Sequence, residues 1–357
     1  MSRNRKAFYS FKKSVIITDS YFSAKRSENV ESFSFAFNAV APIVAMVAIG
    51  YFLKKAGIIG KEFAKSGNRL VFKIFLPVML FSNVYKIENL GEVDLGHVLY
   101  ALPAIFAVFL LAFFSSGTIT KEGPKRSALI QGMFRSNYAL IGIPLAGSLF
   151  GEEGISAAAV LSAFAIPLFN ILAVAEFAFF SGDGIKPDLR KTLTDIIKNP
   201  LIQGVAAGFA ALIIRGIFVE TGISFRLFDI VFIEKTAGYI SAMATPFSLL
   251  VLGADFEFSA VSELRKEILF GTAMRCIAVP AFGIGTAFLL FYGTFSGAQF
   301  AALAALFSAP VAVSSVPMAQ EMGGDSKLAG QLVVWTTVFS AGTIFLSSFL
   351  LKTAGIF

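Results

Sequence analysis

Arg135-Ser136-Asn137-Tyr138-Ala139-Leu140-Ile141-Gly142-Ile143-Pro144 lies inside a long apolar segment and carries the residues least suited to an unbroken helix. Proline lacks the amide donor and its ring clashes with the preceding turn, while glycine relaxes the backbone. A second stretch has the same character: Ser308-Ala309-Pro310-Val311-Ala312-Val313-Ser314-Ser315-Val316-Pro317. Both predict helices that break near the middle of a membrane.

Backbone groups freed at that depth are tolerated only where they line protein or a wet cavity. The second half of each broken helix then aims its N-terminus at the centre, with free N–H groups and about half a positive charge. Two such ends favour an anion, and a carboxylate is the simplest fit. The candidate binding residues are Ser136, Asn137, Tyr138, Gly142 and Pro144 in the first break, with Pro310, Ser314, Ser315 and Pro317 in the second. The competing reading is that the prolines only kink the helices and the small polar residues satisfy the kink. Arg135 and Arg275 are the candidate charge partners. Arg275 reads as the one charge deep in an apolar span, either a substrate counter-ion or, preferably, a partner of backbone carbonyls.

Composition places these segments in a bilayer. The 357 residues are 56% hydrophobic and 15% charged, with mean hydropathy +0.76, against roughly 25% charged for a soluble domain. The 41 Phe suit lipid-facing surfaces and the 31 Gly suit close helix packing. Gly204-Val-Ala-Ala-Gly208 and Gly283-Ile-Gly285 accordingly read as packing glycines. The net charge of +7 resides mostly in short loops, so nucleic acid is not an expected partner and membrane lipid is. Cys276 and His97 are single, which excludes an intrachain disulfide and a histidine-rich metal site. With no nucleophile beside a placed base, neither an enzyme nor a cofactor is expected.

A spanning helix needs about 20 mostly apolar residues. Ten segments qualify, near 34–54, 67–86, 97–116, 128–149, 156–180, 199–218, 236–255, 267–292, 298–320 and 328–351. Alternate loops differ in charge. One side carries Lys54, Lys55, Lys61, Lys65 and Arg69, then Lys121, Lys125 and Arg126, then Lys186, Arg190, Lys191 and Lys198, then Arg265 and Lys266, then Lys327. The other, outside the tail, has only Lys86, Arg215, Arg226, Lys235 and Lys352. The first side is therefore expected in the cytoplasm of a multi-pass protein of the plasma or inner membrane. Residues 1–32 read as a polar, basic tail lacking a signal peptide's apolar core. Phe218–Glu234 reads as an amphipathic piece at the outer interface.

The halves correspond in order: Pro42 with Pro200, Gly50 with Gly208, Pro77 with Pro246, Pro144 with Pro317 and Gly151 with Gly324. An odd number of spans per repeat inverts the second copy. The expected fold is thus an all-α integral membrane protein of ten transmembrane helices, two inverted five-helix repeats with broken crossover helices in spans four and nine. The first repeat occupies 33–181 and the second 199–357, joined by a linker at 182–198.

Asn68-Arg69-Leu70-Val71-Phe72 with Leu76-Pro77, Ser136-Asn137 through Gly142-Ile143-Pro144, Asn199-Pro200, and Pro310 through Pro317 with Gly324-Asp325 resemble the auxin efflux carrier family. That family includes plant auxin exporters and bacterial permeases for dicarboxylates such as malate and malonate. The resemblance covers about 34–351. It implies a scaffold of spans one, two, six and seven, elevator-like movement of spans three to five and eight to ten, and a homodimer through the scaffold. It also implies substrate carboxylate near Asn137. The long loop of the plant exporters is reduced to Ser181–Asn199, which counts against auxin as the substrate.

Neither broken helix contains an acid suited to a proton relay, and coupling to protons or sodium stays open. Asp255 and Glu257 read as interfacial. The expected function is a secondary carrier for a small organic anion. The alternatives are a sodium-coupled organic-anion symporter of the bile-acid type and a membrane sensor that transports nothing.

Overall fold

The computed structural model describes residues 41–86, 95–180, 194 and 196–357, and almost all of them are helical. The tail at 1–32 and most of the linker at 182–198 lie outside the described residues. Helix α1 covers 41–55, α2 Lys61–Leu70, α3 Leu76–Tyr85, α4 Gly96–Ile119, α5 Gly123–Phe134, α6 Ile143–Phe180 and α7 Pro200–Glu220. Then follow α8 Val231–Asp255, α9 Arg265–Ala273, α10 Val279–Phe291, α11 Gly297–Ser308, α12 Ser315–Glu321 and α13 Ser326–Thr353.

Among the described residues, six helices are long and apolar enough to cross a bilayer: Gly96–Ile119, Tyr138–Phe180, Pro200–Glu220, Val231–Asp255, Arg265–Phe291 and Ser326–Thr353. The protein is an all-helical, multi-pass membrane protein.

Three widened π turns, Val71–Phe75, Tyr138–Gly142 and Met274–Ala278, each run directly into a helix whose second residue is proline: Pro77, Pro144 and Pro280. A proline ring cannot face the carbonyl four residues back, and a wider turn carries the chain past it. The Cys276 carbonyl, left over by Pro280, accepts the Thr343 hydroxyl at 2.8 Å.

Two boundaries differ from the sequence expectation. The segments 128–149 and 156–180 meet at a corner at Phe150 and Gly151; Gly151 has φ +58°, which a side chain would strain. The segment Phe218–Glu234 is divided among three elements. Helix α7 continues to Glu220, Gly222 ends it at φ +80°, a 3-10 turn covers Leu227–Asp229, and α8 starts at Val231. The Asp229 carboxylate accepts from Arg226 N at 2.8 Å and Leu227 N donates to Tyr85 Oη at 2.7 Å, which pins this turn to α3.

Helices α2, α3, α7 and α8 pack on one another. Helix α1 meets α8 backbone to backbone: a methyl group at Gly50 would overlap the Leu250 carbonyl, and one at Gly253 the Val47 carbonyl. Gly204 and Gly208 let α7 lie on the Pro77 to Val84 face of α3. Of the other pair, Gly283 makes room for the Phe307 ring while Gly285 faces open space. Helices α4, α5, α6 and α9 to α13 form the second group, with α11 buried along α6. The broken segments meet inside this group, on its seam with α3 and α8.

Candidate functional site

After α5 the chain turns extended at Arg135, and after α11 it does so at Ala309. The two breaks cross. Ser136 and Val311 form an antiparallel bridge, in which Asn137 N donates to Pro310 O at 2.8 Å and Ala312 N to Arg135 O at 3.3 Å. Each break thus supplies peptide partners that the bilayer cannot.

Side chains take up the remainder. Pro310 frees the Leu306 carbonyl, which accepts from Ser136 Oγ at 2.7 Å; Val311 N donates to Thr336 Oγ1 at 3.1 Å; Tyr138 Oη donates to Ala302 O at 3.1 Å. The guanidinium of Arg275 lies where the C-terminal ends of α5 and α11 converge. It donates to Ala309 O at 2.8 Å from Nε and 2.6 Å from Nη2, to Leu306 O at 3.1 Å and to Phe134 O at 3.3 Å. One fixed cation therefore meets the negative ends of two half-helices. This is the carbonyl-pairing arrangement.

A cavity of about 70 Å³ lies at the crossing, room for about two waters at liquid density. Its wall includes Arg135, Ser136, Asn137 and Tyr138 from the first break, Ala312 to Ser314 from the second, and Asn170 of α6. Across the seam, Asn83 of α3 and Thr245 and Ser248 of α8 close it. Asn137 is 8% exposed and its side-chain Nδ2 has no hydrogen-bond partner, leaving an unsatisfied amide donor in the wall. Arg135, 4% exposed, donates from Nη2 to Asn170 Oδ1 at 2.7 Å and from Nη1 to the Met318 sulfur.

Of the residues singled out in the sequence, Arg135, Ser136, Asn137, Tyr138 and Ser314 come together around this cavity. Gly142, Pro144, Pro310, Ser315, Pro317 and Arg275 are outside its lining. Pro317 occupies the first turn of α12, where a missing N–H costs little, and Pro144 follows the π turn Tyr138–Gly142 that carries the chain past its ring. The extended residues come before them. Ser315 is fully buried with an unpartnered hydroxyl.

The sequence reading missed Asn83, Asn170, Ser248 and Glu176. Arg275 is not the one charge deep in an apolar span: Glu176 of α6 is 1% exposed. An acid inside the apolar run 156–180 was itself the available signal. A far larger apolar groove of about 990 Å³ runs between α9, α10 and α13, open toward lipid past Leu269, Ile277 and Phe339. Among the described residues no group of His, Cys, Asp or Glu is placed to hold a metal.

Known proteins share this architecture's sequence. A family described as membrane transport protein matches residues 35–178 and 188–347. An uncharacterized transporter of Methanothermobacter thermautotrophicus is 23% identical over 317 residues, 84% of this chain and 93% of that one. An uncharacterized transporter of Methanocaldococcus jannaschii is 26% identical over 315 residues, 85% of this chain and 94% of that one. The match spans both breaks and nearly every described helix, and the chain belongs to the membrane transport protein family, that of the auxin efflux carriers.

Proposed function

We propose that the chain is a secondary carrier that moves a small organic anion, a carboxylate, by elevator-type alternating access. The observation that carries this reading is the cavity at the crossing, where the Arg135 guanidinium and the unpaired Asn137 amide share one small polar wall. A cation beside neutral donors in a buried site recognises a carboxylate. The small volume favours a short acid over a bulky one.

The ten-span plan of two inverted repeats is the frame for this mechanism. It is supported by the matched helix–break–helix segments, α5 to α6 and α11 to α12, and by the ordered prolines and glycines of the two halves. The scaffold comprises the first, second, sixth and seventh spans, here α1 to α3, α7 and α8, and the remaining spans carry the substrate. The cavity touches both groups of helices, which suits a site that one group carries past the other. The basic loops face the cytoplasm.

The test is transport by the purified full chain in liposomes. Labelled malate, malonate and aromatic acids are offered with and without a proton or sodium gradient. Saturable uptake of an acid, competed by its unlabelled form, is expected; uptake of none, or of cations instead, defeats the proposal.

A further inference from the structure

The groove of about 990 Å³ between α9, α10 and α13 shares no lining residue with the crossing cavity. On α13 its wall is the stripe Trp335, Phe339, Gly342 and Leu346, whose spacing puts them on one helix face. The facing wall runs from Arg265 through Leu269 and Thr272 to Ile277. The floor is closed where the Thr343 hydroxyl donates to Cys276 O. Gly342 and Gly285 keep the groove deep, since nothing lies within 4 Å of a methyl group placed on either.

In a bilayer such a groove is filled by acyl chains, because lipid tails are as apolar as its walls and a void would forfeit dispersion contacts. Apolar walls alone make no choice among lipids. Two polar groups do. Arg265 is exposed, is the one charged residue of the lining, and makes no ion pair among the described residues. Glu267, two residues on, is about 200° round the helix, and neither it nor Glu263 lines the groove. Thr272, two turns or about 10 Å further in, is 9% exposed, and its hydroxyl has no partner. Other helical threonines, Thr336, Thr337 and Thr353, donate to the carbonyl four residues back.

We propose that the groove holds an anionic phospholipid, its phosphate on Arg265, an ester carbonyl accepting from Thr272, and one acyl chain running past Trp335 and Phe339 to Gly342. Arginine's planar fork suits a phosphate, and Arg265 with Lys266 belongs to one of the basic loops, which anionic lipid attracts. The depths agree. The interfacial layer is about 5–8 Å thick, so ester carbonyls lie near the depth of Thr272. The Thr343 bond sets Gly342 level with Cys276, about 17 Å in from Arg265, within reach of a chain that ends at the bilayer midplane. A fatty acid held at Arg265 would instead place methylenes, not an acceptor, beside Thr272. The site is independent of what the carrier moves.

Trp335 is the only tryptophan of the chain, so its fluorescence reports the groove. The experiment uses the full chain in phosphatidylcholine liposomes, with rising fractions of phosphatidylglycerol brominated midway along its chains, or of phosphatidylcholine brominated alike. Bromine quenches tryptophan on contact. Half-maximal quenching is expected at a mole fraction about fivefold lower for the brominated phosphatidylglycerol, the preference of one arginine for anionic lipid. The two curves should converge in Arg265→Gln and, in wild type, at high salt, and Gly342→Leu should weaken quenching by both lipids. Coincident wild-type curves, a preference that neither Arg265→Gln nor salt alters, or unchanged quenching in Gly342→Leu overturns the proposal. Quenching by neither lipid overturns it as well, and assigns the groove to a second copy or another segment of the chain. If Arg265→Gln does not fold, the wild-type salt dependence decides.

Discussion

At Asn137 the backbone and the side chain have separate duties. Its N–H holds Pro310 O across the bridge, while Nδ2 is left unpaired in the cavity wall. Asn137→Ala keeps the first and removes the second. It is expected to weaken acid binding by about 1–3 kcal/mol without lowering the melting temperature, as calorimetry and thermal unfolding would read; unchanged affinity removes Asn137 from the site. Arg275 is the opposite case. Its bonds all go to peptide carbonyls, so Arg275→Met leaves those carbonyls without their donor and is expected to destabilise the protein by about 3–5 kcal/mol. Arg275→Lys should recover only part of this, because a point charge cannot reproduce the planar fork.

Residue identities of this kind were only half legible in the sequence. Asn137 stood out because it sits beside a proline and a glycine in an apolar run. Asn83, Asn170 and Ser248 did not, because a single polar residue in a helix acquires meaning only from the face that other helices present. Glu176 shows in the sequence only as an acid inside the apolar run 156–180; its burial comes from the helices packed around it.

Among the elements, the helices Gly96–Ile119, Pro200–Glu220, Val231–Asp255, Arg265–Phe291 and Ser326–Thr353 were legible to within about five residues, since hydropathy over a span reports the bilayer directly. The breaks were also legible, but their internal geometry was not. Proline marks where a helix cannot continue, yet the extended stretch begins at Arg135, well ahead of Pro144, because a π turn carries the chain past that ring. The Ser136–Val311 pairing joins residues distant in sequence, and no local pattern encodes it.

The α1–α8 contact yields a second test at this scale. Gly50→Val or Gly253→Val places side-chain atoms on a facing carbonyl; each is expected to lower the melting temperature and expression, whereas Gly285→Val, facing open space, should do neither. The ion pair between Glu257, in the loop after α8, and Lys327 of α13 is 2.9 Å long but exposed. Its hydrogen bond and charge hold the Glu257 carboxyl below the usual carboxylate range. The associated stability is therefore present above the ordinary Glu value and lost as pH falls through the lowered one. Being solvent-screened, it is expected to contribute under about 1 kcal/mol, so Glu257→Gln should change the melting temperature little at neutral pH.

For the whole molecule, the seam between the two groups of helices is the feature on which alternating access depends. Asn68 of α2 donates to Gln320 of α12 across it at 2.5 Å, and a carrier that slides along the seam must break this bond. In a Cys276→Ser background, cysteines at 68 and 320 should cross-link under oxidation, stop transport, and regain it on reduction. Transport that persists in the fully cross-linked protein would exclude movement at this seam. Malate counterflow into liposomes, compared between wild type and Asn137→Ala, tests the central claim most directly. The account predicts rapid exchange by wild type, competed by malonate, and sharply reduced exchange by Asn137→Ala at subsaturating malate. Equal exchange by both proteins would contradict it.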